Sequence, residues 1–288
     1  MIKIKFFSSF CDTDNCISVY ERICELIIDP LYNKHYCFVN DDTYTHAIIL
    51  NTAMPNLTIS KENVVGIAFE PLQFLSITKN FIEYAKKHIG IYYIGENPNN
   101  VLPELFKEHF GYMWYITPLS KLNLFQINKN RLMSIMVSNK VYASGHKYRH
   151  ELCKRILESE LPIDIYGRGA KFYSHMNDNR VKGTFNEKEP YIDYNFHICI
   201  ENFITPHYFS EKIINPLLCE TTPIYLGCKN IDSYFPDNVI HLTGNVENDI
   251  KLLKDICEEP QKYKKKIDVE QIKKNVSITH LINKLNWI

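Results

Sequence analysis

The sequence predicts an α/β protein made of two Rossmann-like domains, each built on a mainly parallel sheet. Apolar strand-like segments alternate with amphipathic helical ones from "IKIKFF" to "IYYIGE", and the same alternation restarts at "LMSIMVSN". Residues 108–130 separate the two series, and their irregular pattern is typical of a connection between domains. We therefore expect two domains that are joined near residue 128 and face one another across a cleft.

Length and composition agree with this expectation. The chain has 288 residues, of which 45% are hydrophobic and 23% charged, so it can form two globular domains. Lysine and arginine together number 33, and so do aspartate and glutamate. Because the net charge is zero, we expect neither nucleic acid nor an anionic membrane as the main partner, and any anion site has to be local.

The first half of the chain contains four strand-like segments, "IKIKFF", "THAIILN", "VVGIAFE" and "IYYIGE". Helical periodicity is present between them, in "ISVYERICELII" and in "FLSITKNFIEYAKKHIG". We assign these segments to an N-terminal domain, residues 1–128.

The second half repeats the pattern. Its strand-like segments are "LMSIMVSN", "IDIYG", "FHICIEN", "TPIYLG" and "VIHLTG", and "RGAKFYSHMNDNRVKGTFNEKEP" is predicted to be a loop. Helices are predicted in "KYRHELCKRILES" and after Ser210, which can cap the second one. We assign these segments to a C-terminal domain, residues 129–265. One or two amphipathic helices are expected after residue 248, and residues 266–288 are expected to pack back on the N-terminal domain.

The cysteines and the apolar runs indicate in which cellular compartment the protein is expected. Nine cysteines are scattered without a C-x-x-C pair or a paired zinc spacing, which favours free thiols in a reducing compartment. The N-terminus does not resemble a signal peptide, and no apolar run reaches the ~18 residues needed to cross a membrane. We therefore expect a cytoplasmic protein, in the host cytoplasm if the source is viral.

Charged and polar residues cluster at the predicted strand ends of the second half. Arg149 opens a predicted helix, Asn202 follows "FHICIE", and Tyr208, Glu211 and Lys212 come shortly after. Ligands of open α/β sheets bind beyond the carboxyl ends of the strands. A helix N-terminus with two cations suits a diphosphate, and a carboxylate in the first turn can accept hydrogen bonds from ribose hydroxyls. Taken singly, each charge could instead be an ordinary exposed helical residue.

A carboxylate at a strand end of the first half is a candidate general base. Glu70 follows the apolar strand "VVGIAF", and Pro71 enforces an extended exit from it. Partial burial there could tune the pKa of Glu70 for proton abstraction. Glu96 occupies a similar place one strand later and is the rival base. The alternative for Glu70 is a capping or surface residue.

Other patterns are weaker. Asp12 and Asp14 form a D-x-D, but no further acidic residues support a metal site there. "YGRG" is not the G-x-G-x-x-G of dinucleotide-binding enzymes. The histidines, among them His46, His197 and His207, have no metal-ligand spacing and are expected to be structural.

The run "YNFHICIENFITPHYFSEKIINPLLCETTPIYLG" resembles the signature of the α1,3-fucosyltransferase family. Residues 200–202 correspond to the family's Phe–Glu–Asn, with isoleucine in place of the aromatic residue, and residues 210–212 correspond to its Thr–Glu–Lys. The upstream runs "SNKVYASGHKYRHELCKRIL" and "DIYGRG" resemble the preceding elements of the family. Clear similarity covers about residues 131–245.

This resemblance implies a GT-B fold and a metal-independent, inverting transfer of fucose from GDP-fucose to a glycan acceptor, without a cofactor. It also implies an acceptor-binding N-terminal domain, with Glu70 as the better match to the family's base. The residues that it assigns to the donor are Arg149 and Lys212 for the diphosphate, Glu211 and Tyr208 for the ribose and neighbouring nucleotide groups, and Asn202 and Gly167 for the pocket.

Three alternatives stay open at this point. The chain could be a silent sugar-nucleotide or glycan-binding protein that lacks a working base. It could also use another nucleotide sugar, because the acceptor half is divergent. Finally, it could be a metal-dependent GT-A transferase that uses Asp12 and Asp14.

Overall fold

A computed structural model describes residues 1–72, 74–97, 99, 101–108, 128–276 and 278–287, with the side chain of residue 276 left out. Contacts divide the chain into two compact units. Unit 1 holds the described residues within Met1–Pro118, Thr205–Tyr208 and Lys273–Ile288, and unit 2 those within Leu119–Ile204 and Phe209–Ile272. Most of the predicted connection, residues 108–130, lies outside the described residues.

Unit 1 contains a six-stranded sheet in which each neighbouring pair is parallel. The strand order is β2-β1-β3-β4-β5-β6, so the order reverses beside β1. The strands are β1 (Ile2–Ser8), β2 (Tyr36–Phe38), β3 (His46–Leu50), β4 (Val64–Ile67), β5 (Ile91–Ile94) and β6 (Phe106–Glu108).

The helices of unit 1 begin where a side chain caps them. Helix α1 (Thr13–Ile27) is capped by Asp12, and α2 (Lys79–His88) by Thr78, each accepting a backbone N–H of the first turn. The predicted helix from residue 74 is therefore too long at its start. Further helices, numbered in chain order, are α7 (Val269–Val276), which extends from unit 2 into unit 1, and α8 (Ile278–Lys284).

Unit 2 contains a second parallel six-stranded sheet in the order β9-β8-β7-β10-β11-β12. The chain order reverses between β7 and β10, which makes their carboxyl ends the switch point where such sheets bind ligands. The strands are β7 (Arg131–Met136), β8 (Ile163–Tyr166), β9 (Val181–Gly183), β10 (Tyr194–Ile200), β11 (Thr222–Leu226) and β12 (Ile240–His241).

Two helices of unit 2 begin at this switch point. Helix α3 (Ser144–Glu158) follows β7, and α4 (Glu211–Leu218) follows β10 with Ser210 as its cap, as the sequence predicts. Because α3 begins at Ser144, Arg149 lies in its second turn and does not open the helix. Further helices among the described residues of unit 2 are α5 (Val246–Glu258) and α6 (Pro260–Tyr263), and a 3-10 helix (Arg168–Met176) lies in the predicted loop.

Each unit has its own apolar core. The core of unit 2 contains central-strand residues such as Ile135, Ile165, Ile198 and Ile224, all fully or almost fully buried. Such continuous β-branched runs are typical of parallel strands that are covered on both faces. The predicted α/β class with mainly parallel sheets is confirmed, whereas the limits 1–128, 129–265 and 266–288 stay a prediction. Within the described ranges, no helix combines the length and apolarity required to span a bilayer.

Candidate functional site

The candidate site lies in unit 2, where the carboxyl ends of β7 and β10 lie side by side. The two strands pair in parallel, with Ile198 opposite Ile135. Helices α3 and α4 follow these strands, so backbone N–H groups and side chains of both helix starts belong to the same edge of the sheet. This edge carries Arg149, Asn202, Glu211 and Lys212.

The start of α3 packs directly on the chain that leaves β10. Gly145 donates its N–H to the carbonyl oxygen of Asn202 at 3.0 Å. A Cβ at position 145 would lie 1.8 Å from the carbonyl oxygen of Glu201, so only glycine allows this approach without a backbone shift. The approach sets the distance between α3 and residues 201 and 202.

Arg149 is brought to Asn202 by this packing. The arginine is 6% exposed, and its Nη2 donates to Oδ1 of Asn202 at 2.7 Å. A guanidinium keeps its charge when buried, because its pKa is far above neutral pH. The alternative that Arg149 is an exposed helical cation is therefore wrong.

Beneath α4 lies a carboxylate that is 0% exposed, that of Glu201. Its Oε1 accepts the backbone N–H of Ser210 at 2.9 Å, and its Oε2 accepts the Ser210 hydroxyl at 2.7 Å. The cap of α4 is thus tied to the end of β10 through one side chain.

Lys212 is held between two carboxylates. Its Nζ lies 3.1 Å from Oε1 of Glu211 and 3.5 Å from Oε2 of Glu201, and it donates to the Ser210 hydroxyl at 2.9 Å. With a side chain that is 17% exposed, Lys212 is not an ordinary solvated charge. The local anion partners explain why an ammonium is tolerated at the positive end of a helix.

The charges of this cluster shift one another's pKa values. Burial raises the pKa of Glu201 despite the nearby Lys212 ammonium. Burial alone would raise the pKa of Glu211 and lower that of Lys212, but their mutual attraction reverses both shifts, so the pKa of Glu211 is lowered and that of Lys212 raised. Lys212 thus lies between two carboxylates, whereas Arg149 contacts the amide oxygen of Asn202.

A histidine that the sequence reasoning did not single out completes the cluster. His146 is buried in the first turn of α3, where its Nδ1 accepts the N–H of Ala143 at 3.2 Å. Burial and the charges of Arg149, Lys140 and Lys212 lower the pKa of His146 to about 4. It is therefore neutral near pH 7 and adds no third charge.

Two of the predicted donor residues lie outside this cluster of contacts. Gly167 directly follows β8 with φ +104°, and a Cβ there would lie 2.3 Å from the carbonyl oxygen of Val137, so packing against the exit of β7 requires glycine. Tyr208 is buried, and its contacts place it in unit 1.

The two candidate bases lie at the carboxyl edge of the unit 1 sheet. Glu70 comes after β4, where Asn51 Oδ1 accepts the N–H of Phe69 at 2.8 Å, and one Glu70 carboxyl oxygen, Oε2, is buried. Glu96 comes after β5, and its Oε2 accepts the hydroxyl of Thr205 at 3.0 Å. Since β4 and β5 are parallel neighbours, both carboxylates belong to one edge.

The D-x-D pair has local structural partners. Asp12 caps α1 by accepting the N–H of Asn15 at 2.8 Å, and Asp14 accepts the side-chain amide of Asn40 at 2.9 Å. In the part of the chain that the structure describes, no group of three or more His, Cys, Asp or Glu residues could hold a metal ion.

Glu201 lies inside the family pattern, but the sequence alone assigned it no role. The sequence signal for Glu201 was its position: it directly follows a continuous apolar strand and lies nine residues before a serine cap. His146 had no such signal, because a histidine in "SGHKYRH" could equally be exposed.

Comparison with known protein sequences matches most of unit 2. The sequence model of the C-terminal part of glycosyltransferase family 10 (fucosyltransferase) matches residues 126–278, slightly more than half of the chain. A protein of Acanthamoeba polyphaga mimivirus that is assigned to the fucosyltransferases is 30% identical over 112 residues, which is 34% of this chain and 19% of that protein. α-(1,3)-Fucosyltransferase B of Drosophila melanogaster is 30% identical over 95 residues, 31% of this chain and 21% of that protein.

The matched segment therefore spans about a fifth of the length of these curated relatives. Solved structures match over more of the chain. An α1,3-fucosyltransferase with GDP-fucose gives a TM-score of 0.55 at 13% identity, covering 99% of this chain and 89% of that one. The enzyme with GDP gives 0.54 at 15% identity, covering 91% and 79%. At such low identity the likeness shows the fold, which is GT-B.

Proposed function

The chain belongs to glycosyltransferase family 10, the fucosyltransferases, and from this premise we propose that it transfers fucose from a GDP-sugar to a hydroxyl of a glycan acceptor. A related deoxysugar is included in the proposal, because the acceptor half is divergent. We propose inversion at the anomeric carbon, without a metal ion or cofactor, and a cytoplasmic location.

The observation that carries the proposal is the buried charge cluster at the switch point of unit 2. Arg149 and Lys212 are held at the strand edge where ligands of such sheets bind, beside the start of α4. A diphosphate needs cations and backbone N–H groups in this combination.

Negative charge grows on the diphosphate as the bond to the sugar breaks. Cations that are already fixed stabilise this charge in the transition state without reorganisation. In the proposal, Arg149 and Lys212 bind the diphosphate oxygens, and Glu201 fixes Lys212 from below through Ser210.

Glu211 is the candidate for the ribose. Its pKa is lowered by Lys212, so it is a carboxylate near pH 7 and can accept hydrogen bonds from hydroxyl groups. Tyr208 is proposed to contact the ribose and neighbouring nucleotide groups as well, and Asn202 and Gly167 are proposed to line the remaining pocket.

The acceptor hydroxyl needs a base, because its own pKa is too high for it to attack readily. We propose Glu70 for this role, with Glu96 as the rival. The base takes the hydroxyl proton while the acceptor oxygen bonds to the anomeric carbon and GDP leaves with the electrons of the broken bond.

Calorimetric titration with GDP-fucose and GDP tests the donor site. We expect both to bind the wild-type protein, and we expect Arg149→Ala to weaken binding strongly. Lys147→Ala is the matched control, because Lys147 is an exposed cation on the same helix. Equal affinity of Arg149→Ala and wild type would contradict the assigned site.

Measuring turnover of the donor then distinguishes an enzyme from a silent binding protein. We expect GDP release from GDP-fucose with a glycan acceptor or with water, unchanged by EDTA. Tight binding without any turnover would show a silent binding protein, and loss of turnover in EDTA would show a metal-dependent reaction.

A further inference from the structure

Two thiols of unit 1 lie close together at the carboxyl end of β1. The Sγ atoms of Cys11 and Cys16 are 3.2 Å apart. Cys11 is half-buried in the loop between β1 and α1, and Cys16 is buried in the first turn of α1. Neither residue belongs to the proposed donor or base residues.

The surrounding backbone holds the pair in place. Cys16 donates its N–H to the carbonyl oxygen of Asp12 at 3.2 Å, and the Asp12 side chain caps the same helix. Cys11 directly precedes this cap, and its Sγ lies 3.7 Å from the Ser8 hydroxyl at the end of β1. The two sulfur atoms are thus neighbours because of the strand-to-helix turn.

We propose that Cys11 and Cys16 form a site of reversible oxidation, at which the two thiols close into an intramolecular disulfide by exchange with glutathione disulfide. The proposal does not depend on the proposed transferase activity.

The exchange has two steps. The Cys11 thiolate attacks one sulfur of glutathione disulfide, which forms a mixed disulfide and releases one glutathione thiolate. The Cys16 thiolate then attacks the Cys11 sulfur and releases the second glutathione. Two protein thiols and one glutathione disulfide give one protein disulfide and two glutathione thiols. Cys11 reacts first because it is the more accessible, and burial raises the pKa of Cys16.

The cross-link would directly follow a residue that contacts the neighbour of the proposed base. Phe10, which precedes Cys11, is 49% exposed, and its ring centroid lies 5.3 Å from that of Phe69, the neighbour of Glu70. Closing the disulfide would therefore tether the loop that carries Phe10 at this edge of the sheet.

Equilibration of the full chain in glutathione redox buffers tests the site. After acid quenching, intact-mass spectrometry and peptide mapping should find a wild-type species that has lost two hydrogen atoms, with the link between Cys11 and Cys16. Dithiothreitol should reverse it. Cys37→Ser, which changes another half-buried thiol of unit 1, is the matched control and should form the disulfide as wild type does.

Single variants resolve the order of the steps. Cys16→Ser should trap glutathione on Cys11, and Cys11→Ser should form neither the disulfide nor this adduct. Replacing the buried Cys16 can disturb folding. Cys11→Ser changes a half-buried residue instead, so its result stands even if Cys16→Ser folds poorly. A wild-type protein that accumulates only the glutathione adduct, or that stays fully reduced at high glutathione disulfide, would show that the thiols form only a hydrogen bond, and the proposal would be wrong.

Discussion

The carboxylates of the two units are held in different ways. In unit 2, Glu201 and Glu211 share one lysine, and Glu201 is also bound twice by Ser210. In unit 1, Glu70 and Glu96 lie on loops after separate strands, and Glu96 accepts a hydrogen bond from the hydroxyl of Thr205. The first arrangement is a connected network of side chains, whereas the two unit 1 carboxylates follow different strands.

This difference indicates which chemistry each unit can support. A network of buried charges is preorganised, so it can stabilise a fixed pattern of charge such as a diphosphate. A carboxylate on a loop can approach a hydroxyl and take its proton, and loops tolerate variation around it.

The largest effect is expected from the unit 1 carboxylate. Glu70→Gln keeps the shape of the side chain but removes the proposed base, so transfer should slow by about 10²–10⁴-fold. GDP affinity should stay at the wild-type level, because the network in unit 2 is intact. Steady-state rates and calorimetry on the same preparation measure both quantities.

Glu96→Gln is the paired variant for that experiment. If it abolishes transfer while Glu70→Gln remains active, the base is Glu96. Thermal unfolding of both variants checks that neither loss reflects a misfolded protein.

Lys212→Met should weaken GDP binding by roughly 10²-fold, the equivalent of about 3 kcal/mol. It should also lower the free energy of unfolding by about 3 kcal/mol, because the buried Glu201 loses its cation. Urea unfolding and calorimetry measure the two effects separately.

The double variant Glu201→Gln with Lys212→Met is the control. Removing the buried negative charge should recover part of the stability but none of the GDP affinity. If the double variant recovers no stability, or if Lys212→Met is as stable as wild type, Glu201 and Lys212 are not coupled.

Gly145→Ala tests the packing that places α3 beside β10. The added Cβ would meet the Glu201 carbonyl at 1.8 Å, so we expect a loss of about 2–3 kcal/mol in stability and weaker GDP binding. Gly95→Ala in unit 1 is the matched control, since its Cβ would have its nearest contact at 3.9 Å. Similar urea midpoints for the two variants would contradict the close approach.

His197 of β10 should give unit 2 a pH-dependent stability. Burial lowers its pKa from 6.5 to about 3. Below pH 6.5 the unfolded chain therefore binds a proton that the folded chain does not, and stability falls as the pH is lowered. The contribution lost between pH 6.5 and pH 5 is about 2 kcal/mol.

His197→Gln should reduce this slope in urea unfolding measured across the same pH range. The exposed His175→Gln should leave the slope as in wild type. Identical slopes for all three proteins would mean that His197 becomes protonated without unfolding.

Much of the fold was predictable from periodicity. The segment "IKIKFF" corresponds to β1, "FHICIEN" to β10 and "TPIYLG" to β11. These strands were predictable because their apolar patterns are typical of buried β-strands. The short strands β2, β6 and β9 were missed. With three residues each, they are too short for a periodic pattern, and their pairing depends on a neighbouring strand.

The residues of the proposed donor site also follow a pattern that is visible in the sequence. Arg149, Asn202, Glu211 and Lys212 stand at fixed distances from apolar strands, and these distances are visible in the sequence. Their burial and partners were not predictable, because Gly145 and Glu201 act on them through contacts between segments distant in the chain.

By itself the sequence determined the two parallel sheets, the Ser210 cap of α4 and the position of Lys212 in its first turn, since all of these follow from local pattern and spacing. Only the tertiary structure decided that Lys212 is charge-compensated, that His146 is neutral and that Cys11 meets Cys16. These properties depend on burial and on distances between side chains, which local pattern and spacing leave open.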